Sequence, residues 1–230
     1  MGDAPTAASG EPSAGDSGLR VVSVRFFLHP RRGLSLGVVL LSLFVLLAAT
    51  VPAQPLALEE HWQAWMRDIE TPFLRHVALV FNYLGRGLGR ALVIVAIGVV
   101  LIVLRRWWGL VAYALAEAVA PLVSSVTKGI VDRPRPPDGL VHPSGASFPS
   151  GHVTFAAVTL VAAVLLFAAP GPGRRVWWWL AAAVTAGMAW SRTYLQVHWL
   201  LDVAGGALLG AGVALAVFAA VQLLVRNQPG

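Results

Sequence analysis

The chain has 230 residues, of which 57% are hydrophobic and only 12% are charged. A soluble domain carries about 25% charged residues, so this composition excludes an ordinary water-soluble protein and indicates a helical membrane protein. There is no cysteine, which excludes disulfides and thiolate chemistry. The formal net charge is +6, and nearly all the cations are arginines in short loops between apolar runs. This pattern favours membrane orientation over nucleic-acid binding.

The N-terminal segment differs from the rest of the chain. Residues 1–19 are rich in Gly, Ala, Ser and Pro and predict a disordered tail. With the arginines that follow, they form a predicted cytoplasmic tail and basic flank over residues 1–32. The remaining residues, 33–226, are predicted to form one membrane domain.

Six apolar runs predict membrane spans of roughly 20 residues each. The first covers about 34–51, and the segment LEEHWQAWMRDIE after it predicts an amphipathic surface helix over 58–70. The other spans are predicted at about 84–104, 108–128, 152–169, 176–191 and 198–225. The expected fold is therefore an all-α, six-helix membrane bundle.

The positive-inside rule gives this bundle an orientation. Arginines near residues 25–32, 105–106, 174–175 and 226 fall on one predicted face, which should be cytoplasmic and hold both termini. The polar loop at 132–151 then faces outward from a plasma membrane.

Three clusters on the outer face depart from this charge pattern. In KGIVDRPRP, Lys128 ends the third span, and Arg133 and Arg135 follow. Two snorkelling charges would explain this cluster equally well. In PSGH, Ser150 can cap the next helix, Gly151 permits close backbone approach, and the free N–H groups favour an anion. His152 completes this motif, whereas a near-copy at 143–146 lacks the histidine.

The third cluster is SRTYLQVHWLLD, where Arg192 ends one span and His198 begins the next. His198 and Asp202 stand at i and i+4 and share a helix face. Asp202 can accept a hydrogen bond from one ring nitrogen and leave the other as nucleophile or base. A carboxylate inside a membrane helix is costly, which favours a functional role.

The three clusters meet on one predicted membrane face. Their three cations, Lys128, Arg135 and Arg192, together with helix-start amides, fit a multiply charged anion such as phosphate. The acidic residues there are scattered among cations, so we expect no metal and no cofactor.

These residues resemble the motifs of the type 2 phosphatidic acid phosphatase (PAP2) superfamily. Its patterns Lys-x6-Arg-Pro, Pro-Ser-Gly-His and Ser-Arg-x5-His-x3-Asp match from Lys128, Pro149 and Ser191 onward. The resemblance covers about residues 108–225 and leaves Arg133 as an extra arginine without a role.

The resemblance implies an enzyme with a phosphohistidine intermediate. His198 would attack phosphorus, Asp202 would orient it, and His152 would protonate the leaving oxygen. The expected phosphate ligands are Lys128, Arg135, Ser150, Gly151 and Arg192.

The expected function is a membrane lipid phosphatase acting on undecaprenyl pyrophosphate, phosphatidate or phosphatidylglycerophosphate. The alternatives are a lipid phosphotransferase, a vanadate-dependent halide oxidase and a membrane protein that only binds anions. Glu117, inside the third span, could pair with an interior arginine or line a polar path. The Ala, Val, Gly and Arg usage suggests a GC-rich bacterium, and the sequence does not indicate an oligomeric state.

Overall fold

The computed structural model describes residues 25–226, so the predicted tail at 1–19 lies outside the described residues. Within this range the chain forms α-helices and no strand, which confirms the all-α expectation. The helices are α1 Pro30–Thr50, α2 Ala57–Asp68, α3 Pro72–Leu84, α4 Gly87–Val103, α5 Trp107–Val131, α6 Gly151–Phe167, α7 Arg174–Tyr194 and α8 Leu200–Arg226.

The number of membrane spans is smaller than expected. Among residues 25–226, three helices are long and apolar enough to cross a membrane: α1, α5 and α8. Helices α3 and α4 together pass the same test but bend by 59°, which gives at most four candidate spans. Six spans are therefore not confirmed. Helix α6 has 17 residues, fewer than the roughly 20 that a span needs. Helix α7 carries polar and charged residues at both ends.

The region before the second predicted span contains a helix that the sequence analysis missed. Thr71 caps α3 by accepting a hydrogen bond from the Leu74 amide at 3.3 Å, and Pro72 occupies the first helical position. The predicted span at 84–104 consequently starts only at Gly87, which lies after the bend and has φ of +52°.

The boundary of the N-terminal flank also moves. The expected flank ran to residue 32, but α1 begins at Pro30 and the Phe26 side chain is buried. The Phe26 amide donates to the Gln222 side chain on α8 at 2.8 Å. Phe26 therefore packs against α8 as part of the folded bundle.

Close packing between α6 and α8 positions the beginning of both helices. Gly206 and Gly210 of α8 face the α6 backbone. A Cβ atom added at Gly206 would lie 2.6 Å from the Ser150 carbonyl oxygen, which a real side chain could not do. The glycines of α8 thus serve contacts within the chain.

Antiparallel connections bring the three motifs to one end of the bundle. Helices α5 and α7 end there, and α6 and α8 begin there. Two left-handed residues shape the loops at this end: Asp132 has φ of 41° and Gln196 has φ of 56°. Backbone strain of this kind tends to concentrate at functional sites.

Candidate active site

His198 lies in the loop before α8 with its two ring nitrogens in different environments. Its Nδ1 is 3.4 Å from the Asp202 Oδ2, and its Nε2 is 3.2 Å from the Arg135 Nη1. Arg135 can only donate, so Nε2 carries a lone pair and Nδ1 carries the proton. The imidazole is 3% exposed. The structure thus brings His198, Asp202 and Arg135 together in the arrangement of a neutral nucleophile.

The protonation of His198 agrees with this tautomer. Burial lowers the pKa of His198 to about 4, and the cations of Arg135 and Arg192 act in the same direction. The Asp202 carboxylate opposes this shift without cancelling it. His198 is therefore uncharged near neutral pH and has its Nε2 lone pair available.

Asp202 is held by an arginine to which the sequence analysis gave no role. The Arg133 side chain is 0% exposed, and its Nη1 donates to the Asp202 Oδ1 at 2.8 Å. Its Nη2 donates to the Glu59 Oε2 at 2.6 Å, and its Nε donates to the Pro52 carbonyl at 2.9 Å. Burial works to lower the pKa of Arg133, but its bonds to Glu59 and Asp202 raise that pKa overall. The arginine is thus a buried cation between two carboxylates.

Helix α2 contributes a polar face to the site. Glu59 accepts from the Leu201 amide at 2.9 Å, and Gln63 donates to the His198 carbonyl at 2.7 Å. Glu59, Gln63 and Met66 are buried, whereas Trp65 is exposed. The expected helix forms, and its buried residues are two polar ones, Glu59 and Gln63, together with Met66. Its spacing of i, i+4 and i+7 was a signal available in the sequence.

Carbonyl oxygens of the loop before α6 hold two of the predicted phosphate ligands. The Lys128 Nζ donates to the Ala146 carbonyl at 2.7 Å. Arg135 donates to the carbonyls of Ser144, Gly145 and Ala146 at 2.9–3.3 Å. The PSGA near-copy therefore positions Lys128 and Arg135 through its backbone.

The start of α6 has an unpaired hydroxyl and open space next to it. Ser150 is the N-cap residue by backbone conformation, but its side chain makes no capping bond. Its Oγ is buried and has no hydrogen-bond partner among the described residues. The predicted side-chain cap is therefore wrong, and the hydroxyl is free for a ligand. A Cβ added at Gly151 would meet nothing within 4 Å, so a ligand can approach its amide.

His152 and Arg192 are positioned by the last turn of α3 and by Gly85, which follows it. The His152 Nε2 lies 3.2 Å from the Asn82 carbonyl oxygen, which assigns a proton to Nε2. Arg192 is 1% exposed and donates to the Asn82 side-chain oxygen at 2.8 Å. A Cβ added at Gly85 would overlap the His152 ring. Asn82 and Gly85 were not identified from the sequence, because no motif includes them.

The assembled groups suit phosphoryl transfer. A buried neutral histidine, its carboxylate partner, three cations and free donors surround one end of the bundle. Within residues 25–226, no three His, Asp or Glu side chains group in a way that could hold a metal ion. The expectation of metal-independent chemistry stays a prediction.

Sequence comparisons place the chain among known phosphatases. A family model of the PAP2 superfamily matches residues 109–226. The chain is 32% identical over 147 residues to phosphatidylglycerophosphatase B of Bacillus subtilis, covering 62% of this chain and 72% of the relative. It is 29% identical over 144 residues to an undecaprenyl-diphosphatase of Sulfolobus acidocaldarius, covering 59% and 65%.

Solved structures show a similar fold. The transmembrane PAP2-type phosphatidylglycerolphosphate phosphatase of Bacillus subtilis superposes with a TM-score of 0.67 at 30% identity, covering 79% of this chain and 93% of that one. The LpxE protein of Aquifex aeolicus superposes with a TM-score of 0.56 at 23% identity, covering 74% and 96%. At this identity the second likeness concerns the fold alone.

Proposed function

The chain belongs to the PAP2 superfamily and is an enzyme of the phosphatase class, and we propose that it hydrolyses a lipid phosphate through a phosphohistidine on His198. The observation that carries this proposal is the pair of contacts on His198. The Nδ1–H group of His198 points at the Asp202 carboxylate, and the Nε2 lone pair of His198 faces the Arg135 guanidinium.

In the first step, the His198 Nε2 attacks phosphorus and the bond from phosphorus to the leaving oxygen breaks. Asp202 stabilises the positive charge that develops on the imidazole. His152 gives a proton to the leaving oxygen. Burial and the Arg192 cation lower the pKa of His152 to about 2 without ligand, so the negative charge of the bound phosphate has to stabilise the protonated form. Lys128 and Arg135 neutralise charge on the transferring group.

In the second step, His152 takes a proton from water, and the water oxygen attacks phosphorus. The P–N bond breaks, which returns the electron pair to His198 and releases inorganic phosphate. Arg192, the Ser150 hydroxyl and the Gly151 amide hold the equatorial oxygens in both steps.

The exposed apolar surface of the bundle supports a lipid substrate. Helices α1, α4 and α5 expose large apolar side chains along their length, as lipid-facing helices do. A headgroup can reach the site while its tail stays in the bilayer. The named relatives act on phosphatidylglycerophosphate and undecaprenyl diphosphate. We propose the same substrate range here, at the outer face of a plasma membrane with both termini in the cytoplasm.

The test is phosphate release by purified protein in detergent with EDTA present. The panel is undecaprenyl pyrophosphate, phosphatidate and phosphatidylglycerophosphate, each also given to His198→Ala and to His76→Ala. His76 is an exposed histidine on α3 and serves as the control. We expect release from at least one lipid, loss in His198→Ala and retention in His76→Ala.

Other outcomes separate the competing functions. Phosphate that appears on a second lipid and not in solution would indicate a phosphotransferase. If the folded protein binds the lipids but transfers phosphate neither to water nor to a second lipid, its function is anion binding without catalysis. Activity abolished by EDTA and restored by a divalent cation would contradict the metal-independent mechanism.

A further inference from the structure

A cleft lies at the end of the bundle opposite the phosphate site. It has a volume of about 520 Å³, within the range of roughly 300–1,000 Å³ that small-molecule sites occupy. The turn between α4 and α5 forms one wall, the end of α6 forms another, and Arg25 and Phe26 complete the lining. Trp107 in this cleft and Lys128 lie about 30 Å apart along α5. The cleft is therefore separate from the candidate active site.

The lining of this cleft carries positive charge without a carboxylate to balance it. Arg25, Arg105 and Arg106 line the cleft, and the segments that form its walls contain no Asp or Glu. The ion pairs among residues 25–226 include none of these three arginines. Arg106 donates a hydrogen bond to a carbonyl at the end of α6. Arg25 and Arg105 are therefore the cations that remain for a ligand.

Arg105 occupies a backbone position at which glycine is the usual residue. The amides of Arg105 and Arg106 donate to the carbonyls of Ile102 and Leu101 at 2.9 and 2.8 Å, which is the Schellman ending of a helix. Arg105 has φ of 53°, a left-handed conformation that is unfavourable for a residue with a Cβ atom. Membrane orientation would be served by an arginine elsewhere in this turn. A cation held in a strained conformation thus indicates a further role.

The start of α5 adds hydrogen-bond donors beside these cations. Its first N–H groups, from Trp107 to Gly109, have no partner within the helix. The N-cap residue, Arg106, makes no side-chain capping bond, and the first turn contains no acidic residue. Trp107, Trp108 and Gly109 all line the cleft. A helix start of this kind favours an anion and acts in the same direction as the arginines.

The apolar side chains of the cleft select among anions. Guanidinium groups and helix-start amides bind phosphate oxygens well. Leu104, Trp107 and Trp108 line the same cleft and are 51%, 57% and 39% exposed, as is usual for tryptophans at a membrane–water interface. A free phosphate ion would contact the cations and leave this apolar surface uncovered. A lipid with a phosphodiester headgroup covers both.

We propose that this cleft binds the headgroup of an anionic phospholipid. The phosphodiester lies on Arg25, Arg105 and the start of α5, and the acyl chains lie along Leu104 and Trp108. The inference goes beyond the proposed function, because it needs no catalytic step. In the proposed orientation the lipid belongs to the cytoplasmic leaflet, whereas the substrate reaches the opposite end. The bound lipid joins the α4–α5 turn to the end of α6 and so stabilises the folded protein.

The test titrates phosphatidylglycerol into the full-length protein in detergent and follows the melting temperature. We expect phosphatidylglycerol to raise the melting temperature and phosphatidylcholine, whose ammonium group the arginines repel, to raise it much less. Without lipid, Arg105→Gly should melt at or above the wild-type temperature, because glycine relieves the left-handed residue. The phosphatidylglycerol concentration that gives a shift of equal size should rise about tenfold in this variant, as expected for the loss of a charged hydrogen bond.

Arg175→Gln is the matched control. Arg175 is an exposed arginine at the same end of the bundle and does not line the cleft, so the required concentration should not change. An equal rise for Arg105→Gly and Arg175→Gln would overturn the proposal in favour of a diffuse attraction between the lipid and this face. An unchanged concentration for Arg105→Gly would also overturn it, because a lipid that stabilises the protein from the active site gives that result.

Two further arms keep the proposal falsifiable. Arg25 lies outside the helices, so Arg25→Gln provides the deciding variant if Arg105→Gly melts below the wild type without lipid, and it should show the same rise of about tenfold. Glycerophosphoglycerol, the headgroup without acyl chains, tests the source of the phosphodiester. A shift from it equal to that from phosphatidylglycerol at the same concentration would show that the cleft takes a free phosphodiester, and would overturn the assignment to a lipid.

Discussion

Replacing Arg133 by methionine should remove the charge that holds the active-site carboxylate. Arg133 is 0% exposed and forms ion pairs of 2.6 Å with Glu59 and 2.8 Å with Asp202. Those carboxylates are 1% and 0% exposed. Methionine fills much of the arginine volume but leaves both carboxylates as buried charges without a cation.

The expected cost follows from these burials. Removing one partner of a buried ion pair destabilises a protein by about 3–5 kcal/mol. For a chain of this length, we expect the melting temperature to fall by roughly 10–15 °C. Arg133→Lys should cost less, because it keeps the charge but cannot bind both carboxylates in a fork.

Thermal melting in one detergent, with Arg75→Met as the exposed control, measures this effect. Adding Glu59→Gln to Arg133→Met removes one of the two stranded charges, so the double variant should melt above the single one. A melting temperature for Arg133→Met within about 2 °C of wild type would refute the reasoning. The reasoning would also be refuted if the melting temperature of the double variant fell by the sum of the decreases caused by Arg133→Met and Glu59→Gln alone.

Three further predictions concern the histidines. Gly85→Ala should displace the His152 ring and lower kcat. Gly98→Ala is the control and should not lower kcat, because its added Cβ would meet only one atom, at 3.9 Å. Equal kcat values for the two variants would show that Gly85 does not confine the ring. Because His198 attacks as the neutral form and its pKa is about 4, the loss of kcat/KM on the acid side should occur as pH falls through that value. Titration by NMR should find this pKa, and Arg135→Gln should raise it, since the Arg135 cation lowers it. His152→Ala should cut the rate by about 10²–10⁴-fold with alkyl phosphates and by much less with 4-nitrophenyl phosphate, whose leaving group needs no proton; equal losses would remove the acid role.

The residues that could be read from the sequence are those in local motifs. His198 and Asp202 were predicted as a pair because they stand at i and i+4, as on one helix face. The structure places them 3.4 Å apart, although His198 lies in the loop before α8 and not on the helix. Lys128 and Arg135 were grouped by charge and topology. The roles of these residues remain predictions, although the structure brings them to one end of the bundle.

The residues that could not be predicted from the sequence are those whose partners lie far away in the sequence. Glu59 reaches Arg133 from 74 residues away, and Asn82 reaches Arg192 from 110 residues away. No period or spacing encodes such contacts, because they depend on how α2 and α3 pack against the bundle. The six expected spans are not confirmed, because α6 has only 17 residues and α7 carries polar and charged residues at both ends, so neither is a candidate span among the described residues.

The polar face of α2 has a consequence for dividing the protein into parts. Residues 109–226 contain all three motifs and match the family model by themselves. Yet the carboxylate that neutralises Arg133, the amide that holds the His198 carbonyl and the turn that confines His152 all come from residues 59–85. A fragment cut at the family boundary would keep every group expected to touch phosphate and lose the groups that hold them in place. The catalytic unit is therefore larger than the segment by which the family is recognised.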